Sequence, residues 1–111
     1  MKTRYDVLIV GGGMVGSALA CALGQSGLSV GVLESSLPEA FSPEQPHDMR
    51  VSALSIASER FLHNIGAWEG ISSRRSCPYK RMKVWESSSR QGATEFDAAE
   101  SGYTHLGHIV E

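Results

Sequence analysis

Two features of the sequence predict an α/β chain organised on a strand–helix–strand unit. The apolar run Val7-Leu8-Ile9-Val10 breaks straight into Gly11-Gly12-Gly13-Met14-Val15-Gly16, and a second run, Val30-Gly31-Val32-Leu33, closes on an acid, Glu34. Between them the apolar positions fall at helical spacing. The pattern predicts a parallel βαβ unit with a right-handed crossover.

Taken in order, Val7 to Val10 is rich in β-branched residues and does not alternate, as expected of a strand buried on both faces of a parallel sheet. From Met14 to Gln25, Val15, Ala18, Leu19, Ala22 and Leu23 form one helical stripe, and Gly27 stands where a left-handed cap would end it. Val30 to Leu33 is the second strand. Residues 35–49 hold Pro38, Pro43 and Pro46 and read as a long surface loop. A second helix is expected from about Val51 to Ile65, with Leu54, Ala57, Phe61, Leu62 and Ile65 on its apolar face and Gly66 stopping it.

From about Tyr79 the period changes. Met82, Val84 and Trp85 precede a polar turn, Ser87 to Gly92, and Ala93 to Phe96 follow, which predicts a β-hairpin. His105 to Glu111 reads as the approach to a further element. The expected organisation is residues 1–76 as the βαβ-plus-helix part, 77–104 as a hairpin excursion, and 105–111 as a truncated return segment.

The chain has 111 residues, 41% hydrophobic and 20% charged, which suits one small globular domain or part of a larger one. A formal charge of −2 provides no basic field for nucleic acid, so no such partner is expected. Met1-Lys2-Thr3-Arg4-Tyr5-Asp6 leads into only four strongly apolar residues, too few for a secretory signal or a membrane span. Cys21 and Cys77 form no metal or redox spacing and are read as packing residues in a reducing compartment. The expected location is cytoplasmic.

The glycine run carries the chemistry. It satisfies G-x-G-x-x-G, leaves a strand, opens a helix, and has an acid at the end of the next strand, the context a Rossmann-like dinucleotide site requires. Gly11 permits the tight turn, Gly13 lets the backbone approach a pyrophosphate, and Gly16 removes a side chain where helix and strand pack closely. The helix N-terminus around Met14 and Val15 offers free amides and a partial positive charge. Glu34 would accept hydrogen bonds from the adenosine ribose and repel a 2′-phosphate, which disfavours NADP at this site. The motif leaves FAD and NAD open. It also leaves a βαβ unit that binds nothing.

Other candidates are set aside. His47, His63, His105 and His108 lack the tight clustering of a zinc site and are read as surface or satisfied histidines, so no metal is expected. Trp68 and Trp85 are read as core, and Ser72-Ser73-Arg74-Arg75 as a solvated turn. Ser87 to Ser89 have no Ser/His/Asp set to join.

The segment Arg50-Val51-Ser52-Ala53-Leu54-Ser55 resembles the one that follows the ribose-binding acid in flavin-dependent aromatic hydroxylases. With the glycine run, Ile65-Gly66-Ala67-Trp68, Met82-Lys83-Val84-Trp85, Phe96 to Glu100 and His105 to Glu111, the chain is similar in particular to the ubiquinone-biosynthesis hydroxylases along almost all of its length. The resemblance implies a Rossmann-like FAD-binding unit followed by the start of a β-rich substrate domain. It implies that Gly11, Gly13, Met14, Val15 and Gly16 hold the FAD pyrophosphate, that Glu34 holds the ribose, and that Arg50 reaches the pyrophosphate or ribityl region. Ser35 joins that site at the position where many aromatic hydroxylases carry an arginine.

For the complete enzyme the resemblance implies NAD(P)H as reductant, O2, and a polyprenylated phenol or quinol as substrate. A lipid substrate implies a peripheral encounter with the inner face of a membrane or with a biosynthetic complex. The family's later Gly-Asp and Asp-Gly motifs have no equivalent before Glu111, and the 111 residues are expected not to catalyse alone. No catalytic acid or base is nominated among them. An NAD-dependent dehydrogenase and a non-catalytic nucleotide-binding module are the alternatives.

Overall fold

The computed structural model describes residues 3–111, and every side chain among them except those of residues 89 and 90. Met1 and Lys2 of the N-terminal start, and the side chains of Ser89 and Arg90 in the polar turn, lie outside the described residues. The chain forms two compact units, Met1–Pro46 and His47–Glu111.

The first unit contains β1 (Val7–Val10), α1 (Met14–Gln25) and β2 (Val30–Leu33). β1 and β2 pair in parallel, Val7 opposite Val30 through Val10 opposite Leu33, with α1 as the connection. Asp6 fixes the near end of the pair: its backbone N–H donates to the Ser29 carbonyl at 2.8 Å, and its carboxylate accepts the Ser29 N–H at 2.7 Å. Gly27, at φ +86°, turns the chain out of α1 in the left-handed conformation that glycine tolerates best.

β1 is not buried on both faces. Ile9 lies beside α1, while Leu8 is 59% and Val10 84% exposed, because two strands and one helix cover a single face. Beyond β2 the chain from residue 34 to residue 51 has no helix or strand.

The second unit contains β3 (Ser52–Ser55), α2 (Ile56–Asn64), α3 (Trp68–Ser72), β4 (Ser76–Tyr79), β5 (Arg81–Glu86), β6 (Ser89–Asp97), a 3-10 turn (Ala98–Ser101) and β7 (Gly107–Val110). β7 is the middle strand of an antiparallel sheet in the order β3-β7-β4. β5 and β6 pair as a separate hairpin, with the register broken between Val84 and Glu86. The hairpin turns at residues 87–88, sooner than the polar run to Gly92 suggests.

Three readings of this region need correction. Residues 52–55 form a strand, so the expected helix from Val51 begins only at Ile56. Pairing with β7 satisfies the backbone of 52–55, and the Ser55 hydroxyl then caps α2 by accepting the Ser58 N–H at 3.2 Å. Gly107 to Val110, read only as an approach, is the strand on which the sheet is assembled. Arg75, read as solvated, has a side chain only 15% exposed and pairs with the Glu111 carboxylate at 3.1 Å.

Buried apolar side chains among the described residues are few: Leu62 on α2, Ala98 at the 3-10 turn and Val110 on β7. Trp85 is half exposed, not core, and Cys21 and Cys77 are exposed free thiols, not packing residues. No helix among the described residues is long and apolar enough to cross a membrane.

Gly107 sets the spacing of the sheet. A Cβ there would lie 2.0 Å from the Leu54 carbonyl oxygen and 2.8 Å from the Tyr79 hydroxyl, with a strand on each side and nowhere to move. Gly107→Ala should cost roughly 3 kcal/mol or more in urea unfolding, whereas Gly92→Ala, which meets nothing within 4 Å, should change stability by less than about 0.5 kcal/mol. Equal effects of the two substitutions would contradict the assigned register.

Candidate functional site

β1 ends at Val10, and the three glycines reverse the chain into α1. Gly11 takes φ +103°, a conformation that side chains disfavour, and its N–H donates to the Leu33 carbonyl at 2.8 Å, keeping the turn at the end of β2. The Ser17 hydroxyl donates to the Gly12 carbonyl at 2.9 Å and closes the turn from the helix side. Gly16 approaches most closely: a Cβ there would lie 2.0 Å from the Gly11 carbonyl oxygen and 3.3 Å from Ile9 Cγ2. Its lack of a side chain thus serves the turn itself first, and the helix–strand packing second.

Gly13 is the N-cap of α1 and supplies no side-chain cap, and the first turn of the helix holds no acid. The first backbone bond into the helix is from Ser17 N–H to the Gly13 carbonyl at 2.9 Å, so the amides of Met14, Val15 and Gly16 precede it, as the opening amides of any helix do. A Cβ on Gly13 would meet nothing within 4 Å, so a ligand can approach its backbone. Met14 and Val15 have exposed side chains; what they offer is backbone N–H.

Glu34 follows β2 and reaches back to the turn. Its Oε2 accepts the Gly12 N–H at 2.6 Å, and its Oε1 accepts the Ser36 N–H at 3.2 Å and the Ser35 hydroxyl at 3.4 Å. The Gly12 bond, foremost, with those of Ser36 and Ser35, holds the Glu34 carboxyl below its ordinary value despite a small opposing effect of burial. Ser35 is therefore engaged with Glu34. The structure gathers Gly11, Gly13, Met14, Val15, Gly16, Glu34 and Ser35 in the first unit. Arg50 belongs to the second, in the irregular segment before β3, with its backbone N–H on Asp48 Oδ1 at 2.9 Å and its side chain exposed.

A second constellation escaped the sequence reading. On the second unit, Glu59 of α2 receives two histidines: His105 Nε2 lies 3.0 Å from Glu59 Oε2, and His108 Nδ1 bonds Glu59 Oε1. The side chains of Glu59, His105 and His108 are 12%, 26% and 17% exposed. Burial pushes the Glu59 carboxyl up, but hydrogen bonds and charge from His108 and His105 outweigh it and hold the group below its ordinary value. Trp68 of α3 sets its ring edge-on to His108 at 5.0 Å between centroids. The pair His105/His108 is visible in the sequence; nothing in the local pattern points to a carboxylate 46 residues before it.

No family model matches the chain. The chain is 42% identical to the 3-demethoxyubiquinol 3-hydroxylase of Escherichia coli, over 96% of its own length and 27% of that protein. It is also 42% identical to the mitochondrial ubiquinone biosynthesis monooxygenase COQ6 of Xenopus tropicalis, over 96% of itself and 24% of the relative. Among solved structures it resembles the p-nitrophenol 4-monooxygenase PnpA of Pseudomonas putida DLL-E4, with a TM-score of 0.63 at 25% identity, covering 99% of this chain and 26% of that one. The chain thus spans about a quarter of the length of the relatives it matches.

The Glu34 contacts make a titration prediction. A carboxyl lowered in the folded state stabilises that state above the unfolded value, and this contribution disappears as pH falls through the lower folded one. In a carbon-detected NMR titration, Glu34 should titrate lower in the folded chain than in the same chain unfolded in urea. Coincident midpoints would show that the Gly12 and Ser36 bonds do not persist in solution.

Proposed function

From its 42% identity to a ubiquinone-biosynthesis hydroxylase over 96% of its own length, we propose that the chain is a member of that family and forms the FAD-binding part of a monooxygenase acting on a polyprenylated phenol or quinol ring. The observation that carries this reading is the glycine turn with Glu34 locked onto it by the Gly12 amide at 2.6 Å. That bond orients an ionised carboxylate beside an uncapped helix end. The pairing suits the two halves of an adenosine diphosphate: anionic phosphates at the amides, neutral hydroxyls at the acid.

The residues fit FAD. The backbone at Gly13 is open to a phosphate, and the amides of Met14, Val15 and Gly16 face the helix end at which the dipole favours an anion. Glu34 spends one lone pair on Gly12 and others on Ser35 and Ser36, and a carboxylate with about four acceptor sites retains capacity for a ribose hydroxyl. Its negative charge disfavours a 2′-phosphate. We assign Arg50 to the pyrophosphate or ribityl region, where its planar, permanently charged fork suits a phosphate oxygen. The glycine turn and Glu34 support reading the first unit as a Rossmann-like dinucleotide site.

FAD held by these residues would supply two-electron redox chemistry toward O2, with NAD(P)H as reductant, one oxygen atom going to an electron-rich ring and the other to water. The contribution of these residues is to bind and orient the cofactor. None of them serves as acid or base toward the ring. The names of the relatives support a quinol-type substrate, and a lipid of that kind supports the reading that the whole protein meets it at a membrane surface or in a biosynthetic complex. Hydroxylation is proposed for the whole protein, since the chain spans about a quarter of its relatives.

The test is a competition titration of the 111-residue chain with FAD, NAD and ADP. FAD and ADP should compete for one site, and FAD should bind more tightly than NAD. Glu34→Ala should weaken FAD binding about tenfold or more, since it removes the charged acceptor offered to a ribose hydroxyl. Preferential binding of NAD would replace this reading with that of a nicotinamide dehydrogenase unit.

A further inference from the structure

We infer that Glu59, His105 and His108 form a binding site for a divalent transition-metal ion of the Zn2+ class, separate from the glycine turn and independent of the reading given for it. Three donors of two types converge from three places in the second unit: α2, the segment leading into β7, and β7 itself. Glu59 contributes a carboxylate oxygen, His105 its Nε2 and His108 its Nδ1, and these atoms all lie within 4.8 Å of one another. Zinc holds imidazole nitrogen and carboxylate oxygen at about 2.0–2.2 Å, which in a tetrahedral site sets neighbouring donors about 3.4 Å apart. The His105–Glu59 separation of 3.0 Å is already close to that spacing. Seating the ion requires side-chain adjustment that brings donors now up to 4.8 Å apart to that spacing.

The surroundings suit a set of metal ligands. His105 turns Nε2 to the site while its other nitrogen, Nδ1, is engaged by the Thr104 hydroxyl at 2.9 Å. A partner on the far nitrogen fixes the orientation of a ligating imidazole, and here it comes from the adjacent residue. Trp68 packs its ring edge-on to His108 and shields that imidazole on one side. The donors are mostly buried, and Glu59 brings to them a carboxylate, the hard anionic donor that such a site uses beside imidazole.

Two imidazoles and one carboxylate complete three positions of a tetrahedron and leave one for water, the donor set of an open zinc site. Imidazole-rich sets also take copper, nickel and iron, so the assignment is to the class. The ion would cross-link α2 to β7, the middle strand of the sheet, and so stabilise the second unit.

The experiment uses the full 111-residue chain with Cys21→Ser and Cys77→Ser, which removes the exposed thiols as rival ligands, and ZnCl2 as the probe. Calorimetry at pH 7.5 should show one equivalent bound, with a rise in the thermal midpoint. Glu59→Ala, His105→Ala and His108→Ala should each weaken binding tenfold or more, and His47→Ala and His63→Ala should not. Those substitutions could also unfold the unit, so imidazole 15N signals are followed in the unsubstituted cluster. Zn2+ should shift those of His105 and His108 and leave those of His47 and His63 in place. Zn2+ that moves His47 or His63 instead, or that produces no heat up to millimolar concentration, overturns the assignment and leaves a hydrogen-bonded triad.

Discussion

Gly16 comes so near the turn before it that a methyl group there would lie 2.0 Å from the Gly11 carbonyl oxygen, and the geometry of the first unit follows from that approach. The helix can start so close to β1 only because residue 16 has no side chain. The close start sets the Gly13 amide and the first-turn amides just past the end of the parallel pair. It also places Gly12 within reach of the acid that ends β2. The Gly12–Glu34 bond then fastens the two strand ends across the turn, and its cost in ligand-binding capacity is small because a carboxylate accepts several bonds at once.

The parts of this arrangement that were legible in the sequence are those whose determinants lie close together. The apolar runs, the glycine spacing, the stripe on α1 and the acid after β2 all fall between Val7 and Glu34, so local pattern alone specifies them. The bond from Glu34 to Gly12 is a different matter: the spacing predicts an acid near the ligand, but the structure shows it engaged with the turn as well. Burial was misread for β1, since a non-alternating strand implies cover on two faces and the described residues provide it on one.

The second unit was harder to read for a physical reason. Ser52-Ala53-Leu54-Ser55 has no β-branched residue and joins smoothly to the stripe of α2, so its period suggests a longer helix. What makes it a strand is pairing with Gly107 to Val110, far along the chain. Non-local pairing of this kind overrides weak local preference. The same distance hid the Glu59 cluster. Two histidines three residues apart, without helical pattern, carry no signal by themselves; it is the fold that brings a carboxylate from α2 between them.

The proposed function stands or falls on whether the N-terminal amides of α1 receive the phosphates of a flavin dinucleotide. The direct measurement is an amide 1H–15N NMR titration of the chain with FAD. The largest shifts should fall on Gly13, Met14, Val15 and Gly16, with Glu34 and Ser35 moving at the same midpoint. Shifts confined to residues outside 11–16 and 34–35, or a full response to NAD with none to FAD, would contradict the account.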